Sequence, residues 1–185
     1  MQRDDKNRIE KELKRAASFL FKEELYAIMP EDGFELVYAL TRAVSAEMVG
    51  RIIVHISPVQ NEMGQNPEVT FGETSQISSG ILTAMRFCPE IRSSCSLQYS
   101  EKLTKICEKM LLYVCKFDAF QIPPGVSTMD WTVAFCSGQE EGVPDIISVK
   151  SNDPGRSSLR IFGESPFIVT TNIIKIAERI SDETL

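Results

Sequence analysis

Two short stretches of this sequence combine small residues with polar donors in a way that suits an anion. In Phe71-Gly72-Glu73-Thr74-Ser75 a glycine and two hydroxyls precede an apolar run with helical spacing. A helix start leaves its first N–H groups unpaired and outward-pointing, and the helix dipole adds partial positive charge there. Taken alone, the same residues also make an ordinary N-cap. The second stretch, Asn152-Asp153-Pro154-Gly155-Arg156-Ser157-Ser158, carries one cation and two hydroxyls on a Gly-containing turn. Such a turn can hold a phosphate or simply reverse the chain.

Other chemistry is sparse. No P-loop, GxGxxG, GxSxG or HExxH pattern occurs. The one histidine, His55, stands among apolar neighbours in Ile53-Val54-His55-Ile56 and reads as a core or edge residue of a strand rather than a catalytic base. The five cysteines (Cys88, Cys95, Cys107, Cys115 and Cys136) show no CxxC spacing and mostly apolar neighbours. They are expected to be buried reduced thiols, with no metal site and no disulfide, as in a cytoplasmic protein. No cofactor is expected.

The elements that would position these groups follow from periodicity. Ile9, Leu13, Ala16, Leu20 and Leu25 predict one N-terminal helix over about residues 1–28 whose apolar face packs into the domain. Strands are predicted at 34–40, with Phe34, Leu36, Tyr38 and Leu40 on one side, and at 49–56, then briefly at 69–71. The segment 57–67 reads as a loop. A helix over 74–87 ends before Pro89, a strand covers 95–99, and Ser100 caps a helix carrying Leu103, Ile106, Cys107, Met110 and Leu111. A strand at 113–117, a loop at Pro123-Pro124-Gly125, a helix at 128–136 and strands at 144–149 and 159–162 follow. Ser165-Pro166 opens a last helix.

Composition agrees with a globular protein: of 185 residues, 43% are hydrophobic and 25% charged. The longest unbroken apolar run, Met110–Cys115, is far too short for a membrane span, and the mixed-charge start Met-Gln-Arg-Asp-Asp predicts no signal peptide. A net charge of −6 argues against direct nucleic-acid binding, so any phosphate site must be local. One domain over 1–185 is expected, in the α/β class.

A resemblance spans about residues 5–181. Gly50-Arg51-Ile52, Phe71-Gly72-x-x-Ser75, then Ile81-Leu82-x-Ala84-Met85-Arg86-Phe87-x-Pro89-Glu90-Ile91-Arg92-Ser93 stand in order along the chain. They are followed by Tyr99-Ser100-Glu101, Phe117-Asp118, Val143-Pro144-Asp145-Ile146-Ile147, Arg160-Ile161-Phe162-Gly163 and Pro166. Together these resemble the thiamine-phosphate synthase domain of the ThiN type, found in kinase fusions and in regulators. The resemblance implies a three-layer α/β/α sandwich with a mixed, mostly antiparallel sheet. It also implies a reaction that joins hydroxymethylpyrimidine diphosphate to thiazole phosphate and releases pyrophosphate.

That reaction needs positive charge around a leaving diphosphate. The resemblance implies a His at position 76, an Arg at 98 and an Arg at 119, where this chain has Gln76, Gln98 and Ala119. Glutamine donates hydrogen bonds but brings no charge. The expectation is therefore a non-catalytic domain that binds thiamine phosphate or a related phosphorylated pyrimidine or thiazole as a sensor. Gly72, Thr74, Ser75, Arg92, Asp118, Arg156 and Ser157 are the expected ligand-binding residues, with Arg156 the foremost cation. An active synthase and a structural or oligomerisation module are the alternatives, and a homodimer is a further expectation.

Overall fold

The computed structural model describes residues 2–57, 67–122 and 129–183. Most of the predicted 57–67 loop and the Pro123-Pro124-Gly125 loop lie outside the described residues. Seven strands form one sheet: β1 (Phe34–Ala39), β2 (Val49–Val54), β3 (Thr70–Phe71), β4 (Ser93–Leu97), β5 (Val114–Asp118), β6 (Ile146–Lys150) and β7 (Ser158–Gly163). Their spatial order is β3-β2-β1-β4-β7-β6-β5. Only β5 and β6 pair in parallel; the other described neighbours are antiparallel.

Among the described residues, five α-helices cover the two faces. They are α1 (Gln2–Ala17), α2 (Gln76–Phe87), α3 (Glu101–Lys109), α4 (Trp131–Ser137) and α5 (Pro166–Asp182). On one face, α1, α3 and α5 bury Ile9, Leu13, Cys107, Ile173 and Ile176 against Phe34, Leu36, Ile52, Leu97 and Ile161. On the other, α2 and α4 bury Ile77, Ile81, Ala84 and Val133 against Val37, Ile147, Val149 and Phe162. The split is the period-2 alternation of the strands made visible: Leu36 faces one layer and Val37 the other. The architecture is the α/β/α sandwich with a mixed, mostly antiparallel sheet.

The N-terminal segment differs from its predicted single helix. α1 ends at Ala17, and Ser18–Leu20 and Glu23–Ile28 form two 3-10 turns. A straight helix would carry Leu25 roughly 12 Å beyond Ala17. The turns instead bring Leu20, Leu25 and Ile28 back into the core with Leu13. Close approach of α1 to β2 requires a glycine there: a Cβ on Gly50 would stand 2.6 Å from Ile9 Cγ2 and 2.9 Å from Leu13 Cδ1.

Three further expectations are corrected. α3 ends at Lys109, and Leu111 sits at φ 61 with 92% of its surface exposed, because the chain must turn sharply into β5. His55 lies just past β2 and is exposed, not part of the core. Cys115 on β5 and Cys136 on α4 form a disulfide, their Cα atoms 5.9 Å apart, where reduced thiols were expected. Sequence spacing does not reveal that the parallel crossover brings these two thiols within bonding reach. Cys95 and Cys107 are buried free thiols; burial pushes both thiols up, that of Cys107 to about 12. Among the described residues, no helix is long and apolar enough to cross a membrane.

Candidate functional site

β1 and β7 start, and β4, β5 and β6 finish, at the same end of the sheet. There, on the α2/α4 face, lies a cleft of about 670 Å³. Gln76 enters it from the first turn of α2, and Thr132 from α4. Ala119, Phe120 and Ile122 wall it after β5. The turn between β6 and β7 contributes residues from Ser151 to Ser158, and Arg160 of β7 completes the lining. Its size lies within the range of small-molecule sites.

The expected binding residues divide among four places. Arg156 and Ser157 are in the cleft. Arg156 is a solvated side chain, 82% exposed, paired with Asp153 on its own turn at 3.5 Å. Ser157 Oγ accepts the Ser151 N–H at 3.0 Å, so it closes the turn. Asp118 takes the opposite side of the sheet from Ala119: it lines a separate hollow of about 300 Å³ on the α3 face, with Lys150 and Tyr99. Arg92 precedes β4, whereas Gln98 follows it, so the two are separated by roughly 20 Å of strand. Arg92 stacks on the Tyr38 ring at 4.6 Å and donates to the Ala39 carbonyl at 2.8 and 3.0 Å.

The helix start read as an anion site already holds a carboxylate. Ser75 caps α2 in a capping box with Ser78: Ser75 Oγ accepts the Ser78 N–H at 3.0 Å, and Ser78 Oγ accepts the Ser75 N–H at 2.8 Å. The Ser75 hydroxyl donates to Glu35 of β1, whose carboxylate also takes Arg51 at 2.8 Å. Thr74 is exposed. Gly72 donates its N–H to Ala46, and its φ of 87 explains the glycine, since a Cβ there would meet nothing nearer than Glu47 Cγ at 4.0 Å. A positive φ is by itself sufficient reason for a glycine at this position.

The sequence reading assigned no role to the most buried charge of the cleft. Arg160 Nη1 donates to Asp130 Oδ2 at 2.5 Å, and their side chains are only 5% and 9% exposed. Asp130 caps α4, its Oδ1 accepting the Val133 N–H at 3.0 Å, while its own N–H donates to Thr83 Oγ1 at 2.9 Å. Gly80 of α2 makes room: a Cβ there would stand 3.3 Å from Arg160 Nη1. The available signal was an arginine in a strand otherwise patterned for burial, together with a glycine inside a helix.

Two of the three positions that depart from the implied pattern meet here. Gln76 and Ala119 both line the cleft. Gln98 stands one residue past Leu97, which pairs with Leu159 of β7. Among the described residues, no group of three or more His, Cys, Asp or Glu could hold a metal ion.

Comparison with known proteins finds relatives of this chain and of its fold. The family model for thiamine-phosphate synthase ThiN matches residues 12–175. The chain is 29% identical over 164 residues to the bifunctional thiamine biosynthesis protein ThiDN of Methanocaldococcus jannaschii, covering 85% of this chain and 38% of that protein. It is 24% identical over 174 residues to thiamine-phosphate synthase ThiN of Methanothermobacter thermautotrophicus, covering 90% of this chain and 87% of that protein. The crystal structure of the C-terminal domain of protein MJ0236 matches with a TM-score of 0.80 and 26% identity, over 96% of this chain and 97% of that one. The chain belongs to the ThiN thiamine-phosphate synthase family.

Proposed function

We propose that this chain binds thiamine phosphate, or a closely related phosphorylated pyrimidine or thiazole, in the Gln76–Arg160 cleft and does not catalyse the synthase reaction. The observation that carries this reading is the charge state of the cleft wall. Its two lining cations each have an acid partner, Arg160 with Asp130 and Arg156 with Asp153. Gln76 and Ala119 add none at positions where the resemblance implies His and Arg. A leaving diphosphate carries more negative charge than such a wall can stabilise, whereas a bound monoester needs only one or two charge-assisted hydrogen bonds.

The apolar side of the cleft supports a heteroaromatic ligand. Phe120 is 78% exposed and Ile122 43%, both on the wall. A planar ring laid on Phe120 removes apolar surface from water and adds an offset-stacking contribution of about 0.5–1.5 kcal/mol.

The test is thermal denaturation with and without ligand. At a thiamine phosphate concentration a hundredfold above Kd, binding adds about 2.7 kcal/mol of stability and raises the melting temperature by several degrees. An unchanged melting temperature at millimolar thiamine phosphate would reject the binding reading and favour the structural module.

A further inference from the structure

We propose that Arg160, not the exposed Arg156, is the side chain that takes the ligand's anionic oxygen, and that Asp130, Thr83 and Gly80 are positioning residues for it. The inference rests on the cleft being a binding site for a phosphate monoester and identifies the group that reads the phosphate. Arg160 lines the cleft although its side chain is 95% removed from solvent. Its Nε–H is buried and has no hydrogen-bond partner among the described residues. Native proteins seldom leave a buried charged donor unpaired, because the unmade bond costs stability. In this proposal the unmet bond of Arg160 is made by the ligand that enters the cleft.

The surroundings hold the guanidinium for that purpose. Asp130 takes Nη1 and leaves the Nε side of the fork unpaired. Asp130 is itself held from two sides, by the Val133 N–H and through its own N–H by Thr83. Gly80, inside helix α2, keeps open the space that Nη1 occupies. A planar fork fixed at one edge presents the rest of its donors with little further loss of side-chain freedom, which is where such a site gains affinity. Arg156 has no comparable support: it is 82% exposed on a turn, in a solvated ion pair with Asp153.

Calorimetry with three probes tests this on the full chain: thiamine phosphate, inorganic pyrophosphate and unphosphorylated thiamine. Arg160→Lys keeps the charge beside Asp130 and removes the fork. It is expected to weaken thiamine phosphate binding at least tenfold and to leave the affinity for unphosphorylated thiamine unchanged. Gly80→Ala is the second variant, useful if the first fails to fold. It raises helix propensity while pressing on Nη1, so affinity for thiamine phosphate is expected to fall severalfold without a fall in melting temperature. A merely structural role for Arg160 predicts the opposite, with stability and affinity falling together or neither changing. Wild-type binding of pyrophosphate but not thiamine phosphate, lost in Arg160→Lys, would support the arginine and reject the proposed ligand. Binding of any phosphorylated probe that Arg160→Lys and Gly80→Ala leave unchanged would overturn the inference, as would no binding of any probe by wild type.

Discussion

Arg160 of β7 and Asp130 ahead of α4 meet at 2.5 Å in a pair whose side chains are 5% and 9% exposed. Thirty residues separate them in sequence, and the pair ties the sheet to the helix that walls the cleft. Removing one partner leaves the other charged and buried, which destabilises by about 3–5 kcal/mol. Asp130→Ala is therefore expected to lower the urea midpoint strongly, and Asp130→Asn less, because the amide oxygen still accepts. Equal midpoints for wild type and Asp130→Ala would show that the pair contributes nothing to stability.

The Cys115–Cys136 disulfide closes a loop with a sequence separation of 21. Chain entropy for a loop of that order contributes about 3 kcal/mol. Alkylation of the unreduced, denatured protein is expected to label the three free cysteines, Cys88, Cys95 and Cys107, and no others. Cys136→Ala should lower stability by roughly that amount. Labelling at all five positions would show the pair to be reduced.

Alkaline pH should weaken the fold through Cys107. Burial raises its thiol from 9.0 to about 12. Above the lower value the unfolded chain releases a proton that the folded one keeps, so its stabilising contribution is full below pH 9 and is lost as pH rises toward 12. The buried Cys95 thiol shifts in the same direction. Melting temperatures measured across pH 8–11 should fall, and less steeply in Cys107→Ala. Identical slopes in wild type and variant would contradict this assignment.

The layers of the fold were legible because strand alternation and helix periodicity report burial directly, as with Phe34, Leu36 and Tyr38 on one face. The break of the N-terminal helix at Ala17 was not, because Leu20 and Leu25 keep a roughly helical spacing while packing against α5 and the core sets the turn. Family blocks and cleft geometry met at Gln76 and Ala119. Ser75 looked open to a ligand until β1 brought Glu35 to its hydroxyl, across 40 residues of sequence. Arg92 and Asp118 sat in matched blocks, yet strand direction sends one to the far end of β4 and strand alternation sends the other to the opposite face. An arginine in the apolar pattern of β7 hinted at a buried charge, but its partner Asp130, 30 residues away, depends on where α4 docks.

Arg156 now carries a smaller expectation than its sequence context suggested. A single charge-assisted hydrogen bond to phosphate is worth roughly 1.5–3 kcal/mol, or about ten- to a hundredfold in affinity. An exposed arginine that must leave Asp153 to reach a ligand delivers less. Arg156→Ala should weaken thiamine phosphate binding by less than tenfold in calorimetry and leave the melting temperature of the free protein unchanged. A loss of a hundredfold would make Arg156 the principal anion ligand.

The central claim is a family cleft that binds without turning over. The direct measurement is chromatographic detection of thiamine phosphate after incubating the purified chain with hydroxymethylpyrimidine diphosphate and thiazole phosphate. With Gln76, Gln98 and Ala119 in place of the implied cationic groups, product is expected at no more than the protein-free background. Turnover within tenfold of an ordinary family synthase would contradict the account and restore this cleft as an active site.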